Sequence, residues 1–315
     1  MRKICVLGGT GFVGRHLVHR LVEQDWQVTV LTRELNRCCP LSVLPTVKLV
    51  AVKNLYDQQE LNQHLADHDV VVNLVAILNE KGRDGRGFEK VHVALVKKVV
   101  EACQVNKIKR LLHVSALNAD VQGTSHYLRT KGEAEALLQA ATGLQVTCFR
   151  PSVIFGEDDE FFNRFIRLLR LTYVFPLACP SAKFAPVWVD DVVNAMINSI
   201  GNSVHYGKIY NLCGPKVYTL QQLVEYAAKL AKLPRYVMPL GGRLSYLQAA
   251  VFERVPSKPL SLDNYHSLQV DSVCSENHLT RLGVTPHALE SIMPRYFTPT
   301  TPHTHYHRYR AQARR

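Results

Sequence analysis

The segment Tyr127-Leu-Arg-Thr-Lys131 sets a phenol and an ammonium four residues apart, which puts them on one face of a helix. A cation beside a phenol lowers its pKa, so Tyr127 is expected to exchange a proton with a carbonyl or alcohol while a hydride moves nearby. Lys131 is also placed to hold the ribose that carries the hydride donor. This spacing recurs by chance in many helices and gains weight from a second feature, Gly8-Gly-Thr-Gly-Phe-Val-Gly14. The glycines lie between the strand-like Lys-Ile-Cys-Val-Leu of 3–7 and a helix-like segment over 15–22. Gly8 permits a tight turn, Gly11 lets the backbone approach a pyrophosphate, and Gly14 lets helix and strand pack closely. The phosphates then rest on the free N–H groups and positive dipole end of the helix. The competing reading is a purely structural turn, which the strand–turn–helix context disfavours.

The second strand ends in Val30-Leu-Thr-Arg33. An acid there would bind a ribose 2′-hydroxyl, whereas an arginine suits a 2′-phosphate, so Arg33 favours NADP(H) over NAD(H).

The elements that must position these residues alternate along the first half of the chain. Strands are predicted over 3–7, 27–32, 47–52, 70–75, 110–115 and 145–150, several of them nearly continuous apolar runs. Helices fit between them at 14–23, 58–66, 87–104 and 126–141. The order implies right-handed βαβ units, hence an α/β protein of the Rossmann type, with a doubly wound parallel sheet. After Arg150-Pro151 the elements shorten and prolines increase. The expected division is a dinucleotide-binding core over 1–150 and a smaller C-terminal α/β lobe over 151–297, with elements returning to the core. A basic tail follows over 298–315. Helices are predicted in the lobe at 159–171, 190–200 and 220–233, with loops through 175–187 and 238–243.

The 315 residues hold 47% apolar and 20% charged side chains, ordinary for a globular protein. No apolar run approaches the roughly 18 residues that span a bilayer, and the short N-terminal apolar stretch ends in the glycine turn, unlike a signal peptide. A cytoplasmic location is expected, with a peripheral place on the inner face of a membrane as the extension. The eight cysteines have no C-x-x-C spacing and are expected to be reduced, with no zinc site and Cys38-Cys39 a plain loop pair. His113 and His126 have no companions at metal-ligand spacing. The formal charge is +12, and residues 303–315 carry four arginines, three histidines and no acid. Such a tail suits an anionic surface or is simply solvated. No nucleic-acid module accompanies it. Arg164, Arg167 and Arg170 recur at threefold spacing among phenylalanines and leucines. That helix either lies on an anionic membrane or turns its apolar side to the lobe's core and its arginines to water.

Taken together, the glycine turn, Tyr127 with Lys131, Arg150-Pro-Ser-Val-Ile-Phe-Gly156 and Pro186-Val-Trp-Val-Asp-Asp-Val192 resemble the extended short-chain dehydrogenase/reductases. Val72-Asn-Leu-Val-Ala-Ile-Leu78, His113-Val-Ser-Ala-Leu-Asn-Ala119, Phe161-Phe-Asn-Arg-Phe-Ile-Arg-Leu-Leu-Arg170, Tyr210-Asn-Leu-Cys-Gly-Pro215 and Pro259-Leu-Ser-Leu-Asp-Asn264 narrow the resemblance. They are similar to the atypical branch that contains the nucleotide-binding accessory subunit of respiratory complex I and its bacterial relatives. The resemblance implies that Gly8, Thr10, Gly11, Phe12, Val13 and Gly14 line the pyrophosphate, and that Arg33 meets the 2′-phosphate. It implies Asn54 and Leu55 at the adenine, and Leu74, Val75 and Ala76 on the nicotinamide side. Lys131 falls at the nicotinamide ribose, and Pro151 to Val153 at the amide. Members that do redox chemistry carry a Ser or Thr just after the fifth strand; here that position is Ala116, with Ser115 one residue early. The family's usual adenine-contacting Asp is Asn54.

The leading expectation is therefore a cofactor-bearing protein associated with a membrane respiratory or quinone-related complex, with little or no turnover. Contact with an anionic surface would run through Arg164, Arg167, Arg170 and the 303–315 tail. The alternative is an active oxidoreductase or epimerase with Tyr127 as acid/base, Lys131 beside it and Ser115 as substitute donor. Its substrate would be a sugar-nucleotide, a sterol-like ketone or a quinone precursor.

Overall fold

The computed structural model describes residues 2–35, 41–255 and 258–297. Cys38, Cys39 and the basic tail lie outside the described residues. The six expected strands are β1 (Lys3–Leu7), β2 (Gln27–Thr32), β3 (Val47–Ala51), β4 (Val70–Asn73), β5 (Arg110–Val114) and β6 (Gln145–Pro151). Shorter strands follow: β7 (Ile154–Phe155), β8 (Val174–Leu177), β9 (Lys183–Phe184), β10 (Val187–Trp188), β11 (Lys208–Leu212), β12 (Tyr218–Thr219) and β13 (Tyr236–Pro239). The stretch 175–187, expected to be loop, thus contributes to three of them.

The main sheet is parallel, in the order β11-β6-β5-β4-β1-β2-β3. β11 was not predicted. It is an edge strand from the second half of the chain, and its pattern of burial alternates instead of running continuously, so it lacks the apolar signature of the inner strands. Chain order reverses between β1 and β4, which opens a crevice at the carboxyl ends of the strands.

Helices α1 (Phe12–Glu23), α2 (Gln58–Leu65), α3 (Arg86–Phe88), α4 (Leu95–Val105) and α5 (His126–Ala140) connect the strands, and α6 (Glu160–Leu169), α7 (Val189–Ser199) and α8 (Leu220–Leu230) follow. The last are α9 (Gly242–Phe252), α10 (Leu262–Ser267) and α11 (Leu289–Phe297), none of them anticipated. One sheet face is covered by α1 and α7, whose Leu17, Leu21, Val192 and Met196 pack on Val6, Val28 and Val72. Leu61, Val99 and Leu138 of α2, α4 and α5 cover the other face, over Cys5, Val71 and Leu111. Each such fully buried aliphatic side chain is worth roughly 1.5–3 kcal/mol over its exposed state. The lobe has its own core, around Phe155, Phe162, Leu169, Leu223 and Ile292.

Three expectations need correction. The helix predicted over 87–104 is interrupted by a π-helical turn, Glu89–Ala94, between α3 and α4. The cysteines are not all reduced: Cys213 and Cys274 form a disulfide with Cα atoms 6.1 Å apart. The fold, not local spacing, joins these two, 61 residues apart in sequence. Cys5, Cys103 and Cys148 are free and buried, as expected. Third, Arg164 does not face outward: it donates to the carbonyls of Lys258 and Pro259. The apolar side of α6, through Phe162, Ile166 and Leu169, faces the lobe core, while Arg167 and Arg170 are exposed.

Candidate functional site

The glycine turn has the geometry of an anion cradle. Gly8 sits at φ +81°, and a Cβ there would lie 3.1 Å from the backbone of Leu74 and Val75. The end of β1 therefore touches the end of β4. Gly11 N–H donates to Gly8 O at 3.0 Å. A Cβ on Gly14 would stand 2.3 Å from Gly8 O, so only glycine permits the close pass of helix and turn. Gly11 caps α1 without a side-chain hydrogen bond, and the first turn carries no acid. Its N–H groups, including those of Phe12 and Val13, thus face the crevice with the positive dipole end intact. The ring of Phe12 lies where a Cβ on Gly156 would come within 2.9 Å, which ties the turn to the segment after β6. Thr10 is partly exposed beside it.

At the ends of β2 and β3, Arg33 is exposed and close enough to Tyr56 that its charge offsets part of the upward shift burial imposes on that phenol. The ammonium of Lys90 stands 4.9 Å over the same ring. Asn54 and Leu55 adjoin it. The carboxylate of Glu60 receives the N–H groups of Lys53 and Asn54 at 2.9 and 3.0 Å, and Asn54 Oδ1 receives Tyr56 N–H at 3.0 Å. The Asn54 amide oxygen thus holds the loop. Tyr56 and Glu60 carried no motif and were missed by sequence reasoning.

Leu74, Val75 and Ala76 follow β4 along the crevice. Val75 N–H is received by Asn73 Oδ1 at 3.1 Å, and Ile77 N–H by His92 Nε2 at 3.2 Å. With Nε2 accepting, His92 carries its proton on Nδ1 and donates it to Thr130 Oγ1 at 3.0 Å. Thr130 in turn donates to His126 O at 2.8 Å. Burial first, then the charges of Lys131 and His113, lower the His92 pKa to about 2, so the ring is neutral. It comes from the π-helical turn and joins the β4 loop to α5. Its ring and that of Phe88 pack edge-on to Tyr127, with centroids 5.5 and 6.1 Å away.

Tyr127 and Lys131 do share one face of α5, but the electrostatics differ from expectation. The Tyr127 pKa is pushed up to about 12, by burial first and by the Asp263 carboxylate second. The lysine does not lower it, because its ammonium is turned inward. Lys131 is 1% exposed and donates to Val114 O at 3.0 Å. Burial lowers its pKa to about 8 against the pull of Glu135. Glu135, one turn further along α5, is held by Arg150 of β6 through a two-pronged ion pair with N–O distances of 2.9 and 3.0 Å from Nε. Ser115 directly follows β5 and Ala116 comes next; Ser115 Oγ is buried without a partner. His113 Nε2, on the same strand end, is likewise buried without a partner. Pro151, which ends β6, and Ser152 after it are buried, and Val153 is partly exposed; Ser152 N–H reaches Leu212 O at 2.9 Å, and Val153 O receives Val187 N–H at 2.9 Å.

The predicted residues therefore gather along one edge of the sheet, at the carboxyl ends of β1 to β6. They fit a dinucleotide: a cradle that any Cβ would fill, an uncapped helix N-terminus, and orphaned buried polar atoms at the far end. The model of an NAD(P)H-binding protein family matches residues 8–165, and that of the 3-beta hydroxysteroid dehydrogenase/isomerase family matches 118–218. A mitochondrial NADH dehydrogenase (ubiquinone) 1 alpha subcomplex subunit 9 from Arabidopsis thaliana is 29% identical, over 90% of this chain and 74% of its own length. Its counterpart from Rattus norvegicus is 28% identical over 90% and 77%. The solved UDP-glucose 4-epimerase of Thermus thermophilus, in complex with NAD, shares the fold with a TM-score of 0.72. It is 19% identical, over 95% of this chain and all of that one. The chain belongs to the NAD(P)H-binding protein family, as an atypical extended short-chain dehydrogenase/reductase that resembles alpha subcomplex subunit 9 of NADH dehydrogenase.

Proposed function

We propose that this protein holds NADP(H) as a resident cofactor and serves a membrane respiratory or quinone-related complex as an accessory or assembly factor, with little or no turnover. The contrast between the two ends of the crevice carries this reading. The phosphate end has every feature a dinucleotide needs, from the uncapped first turn of α1 to the exclusion of any side chain at Gly14. At the reaction end, Ala116 stands where a hydroxyl is expected. The Tyr127 phenol is pushed up to about 12, away from the pH at which a general acid or base works best. Arg33 supports the phosphorylated cofactor. The names of the relatives support the respiratory assignment.

A second reading, an oxidoreductase or epimerase, has one observation in its favour: Ser115 Oγ is buried and unpartnered near Ala116. In that case the cofactor supplies the hydride, Ser115 hydrogen-bonds the substrate oxygen, and Tyr127 moves its proton.

Tyr127→Phe and Gly11→Asp separate the readings in a strain lacking the native gene. The cofactor-holding role requires that Tyr127→Phe complements and Gly11→Asp does not. If Tyr127→Phe retains nucleotide but fails to complement, the protein turns over substrate. The nucleotide that co-elutes with protein from its own cells is expected to be NADP(H); recovery of NAD(H) alone would refute the Arg33 argument.

A further inference from the structure

The surface that α6 does not offer to a membrane is offered by its neighbours in the lobe. β8 and β13 pair in parallel, with Tyr236 opposite Val174 and Met238 opposite Pro176. Phe175 and Val237, one residue along, belong to the lobe core. Alternation along the strands therefore turns Val174, Tyr236 and Met238 outward, and all three are exposed, Tyr236 by 65%. Helix α9 lies beside this face, tied to it by Gln248 Nε2 donating to Pro176 O at 2.9 Å. On the helix, Ser245 and Ala249 are buried. Leu244, Leu247 and Val251 form a stripe that is more than half exposed at each position, and Gln248 lies next to that stripe. Three apolar side chains of a helix and three of a strand pair thus make one outward surface, which a protein in free solution rarely leaves bare.

Charge says what covers it. Residues 161–177 and 234–252, which build this face and its margins, contain no aspartate or glutamate. Arg170 and Arg243 are exposed on them. Arg235 lies 4.4 Å over the ring of Tyr173, which is 78% exposed. Arginines and tyrosines around an apolar stripe, with no acid among them, match the boundary of an anionic bilayer: headgroups meet the cations, acyl chains the leucines, and tyrosines the level between. No helix among the described residues is long and apolar enough to cross a bilayer, so the contact is with its surface. We infer that the face formed by β8, β13 and α9 docks on an anionic lipid surface. This deepens the proposed function by naming the residues that hold the protein at the membrane, and it assigns the contact to α9 instead of α6.

Flotation of the full-length protein with vesicles tests this. Binding is expected to phosphatidylcholine vesicles that contain phosphatidylglycerol, not to phosphatidylcholine alone, and to weaken with salt. The surface pair Arg170→Ser and Arg243→Ser is expected to cost about fivefold in partitioning for each residue, and Leu244→Asp with Leu247→Asp to abolish it. A third variant, with the arginines at 308, 310, 314 and 315 changed to serine, controls for the tail and retains binding that the face variants lose. Thermal melting shows that each variant folds; should the leucine pair not fold, the arginine pair decides. No binding to anionic vesicles, equal binding to neutral ones, binding lost only with the tail, or face variants that lose a protein partner but not vesicles would each overturn the inference. Nucleotide content is read in the same preparation, so a failure here leaves the cofactor reading separately judged.

Discussion

Asp263 of α10 receives the backbone N–H groups of His126 at 2.6 Å and Tyr127 at 3.2 Å. A carboxylate from the lobe thus closes the first turn of the helix that carries the candidate acid. The same charge helps hold the Tyr127 phenol protonated. Stability of the helix and chemistry of the tyrosine are joined through one side chain. Asp263→Ala is expected to cost about 1 kcal/mol, read as a lower denaturant midpoint, with Asp263→Asn losing less because an acceptor remains. An unchanged midpoint in the alanine variant would show that the cap contributes nothing.

Arg33→Ser is expected to weaken NADP(H) binding by roughly ten- to a hundredfold, the range of a charge-assisted contact to phosphate, and to leave NAD(H) nearly unchanged. Titration of both nucleotides by fluorescence gives the ratio. Equal losses for the two would mean that Arg33 does not meet the 2′-phosphate.

Lys131 makes stability depend on pH in a predictable direction. Its pKa falls from 10.5 to about 8 on folding, so between those values the unfolded chain binds more protons. Stability therefore rises with pH across that window, and the cost of burying the charge is present in full below about 8. Lys131→Met is expected to remove this alkaline rise and to be at least as stable as the native protein at neutral pH. Denaturant midpoints from neutral to alkaline pH measure both. A rise that persists in the variant would have to come from another group.

His92 acts at the other end of the scale. Its pKa falls from 6.5 to about 2, so the stability of the neutral ring is complete above 6.5 and is lost as pH drops toward the lower value. His92→Leu is expected to flatten the acid limb of the stability curve. It also removes the acceptor for Ile77 N–H, and exchange of that amide is expected to quicken about fivefold, the worth of one ordinary hydrogen bond. An Ile77 amide that exchanges as before would show that the β4 loop is held by other contacts.

Much of the site was legible because it depends on local pattern. The glycine spacing at 8–14 and the apolar runs of β1 to β6 each reflect a constraint felt within a few residues, and the carboxyl edge follows from their order. β11 was hidden because an edge strand lacks a continuous apolar run. His92 was hidden because nothing in Glu89-Lys-Val-His-Val-Ala94 signals a π-helical turn. The Cys213–Cys274 bond and the inward course of Arg164 depend on chain segments 61 and 94 or more residues away.

By itself, then, the amino-acid sequence determined that the chain winds a Rossmann sheet, makes a tight glycine turn with Gly8, Gly11 and Gly14, and sets Tyr127 and Lys131 on one helical face. Periodicity and steric need at short range are enough for that. Only the tertiary structure decided which way their chemistry runs. Lys131 spends its ammonium on Val114 O and Asp263 arrives beside Tyr127 from 136 residues away. A pKa is set by the solvent excluded and the charges assembled around a group, and both are properties of the folded chain.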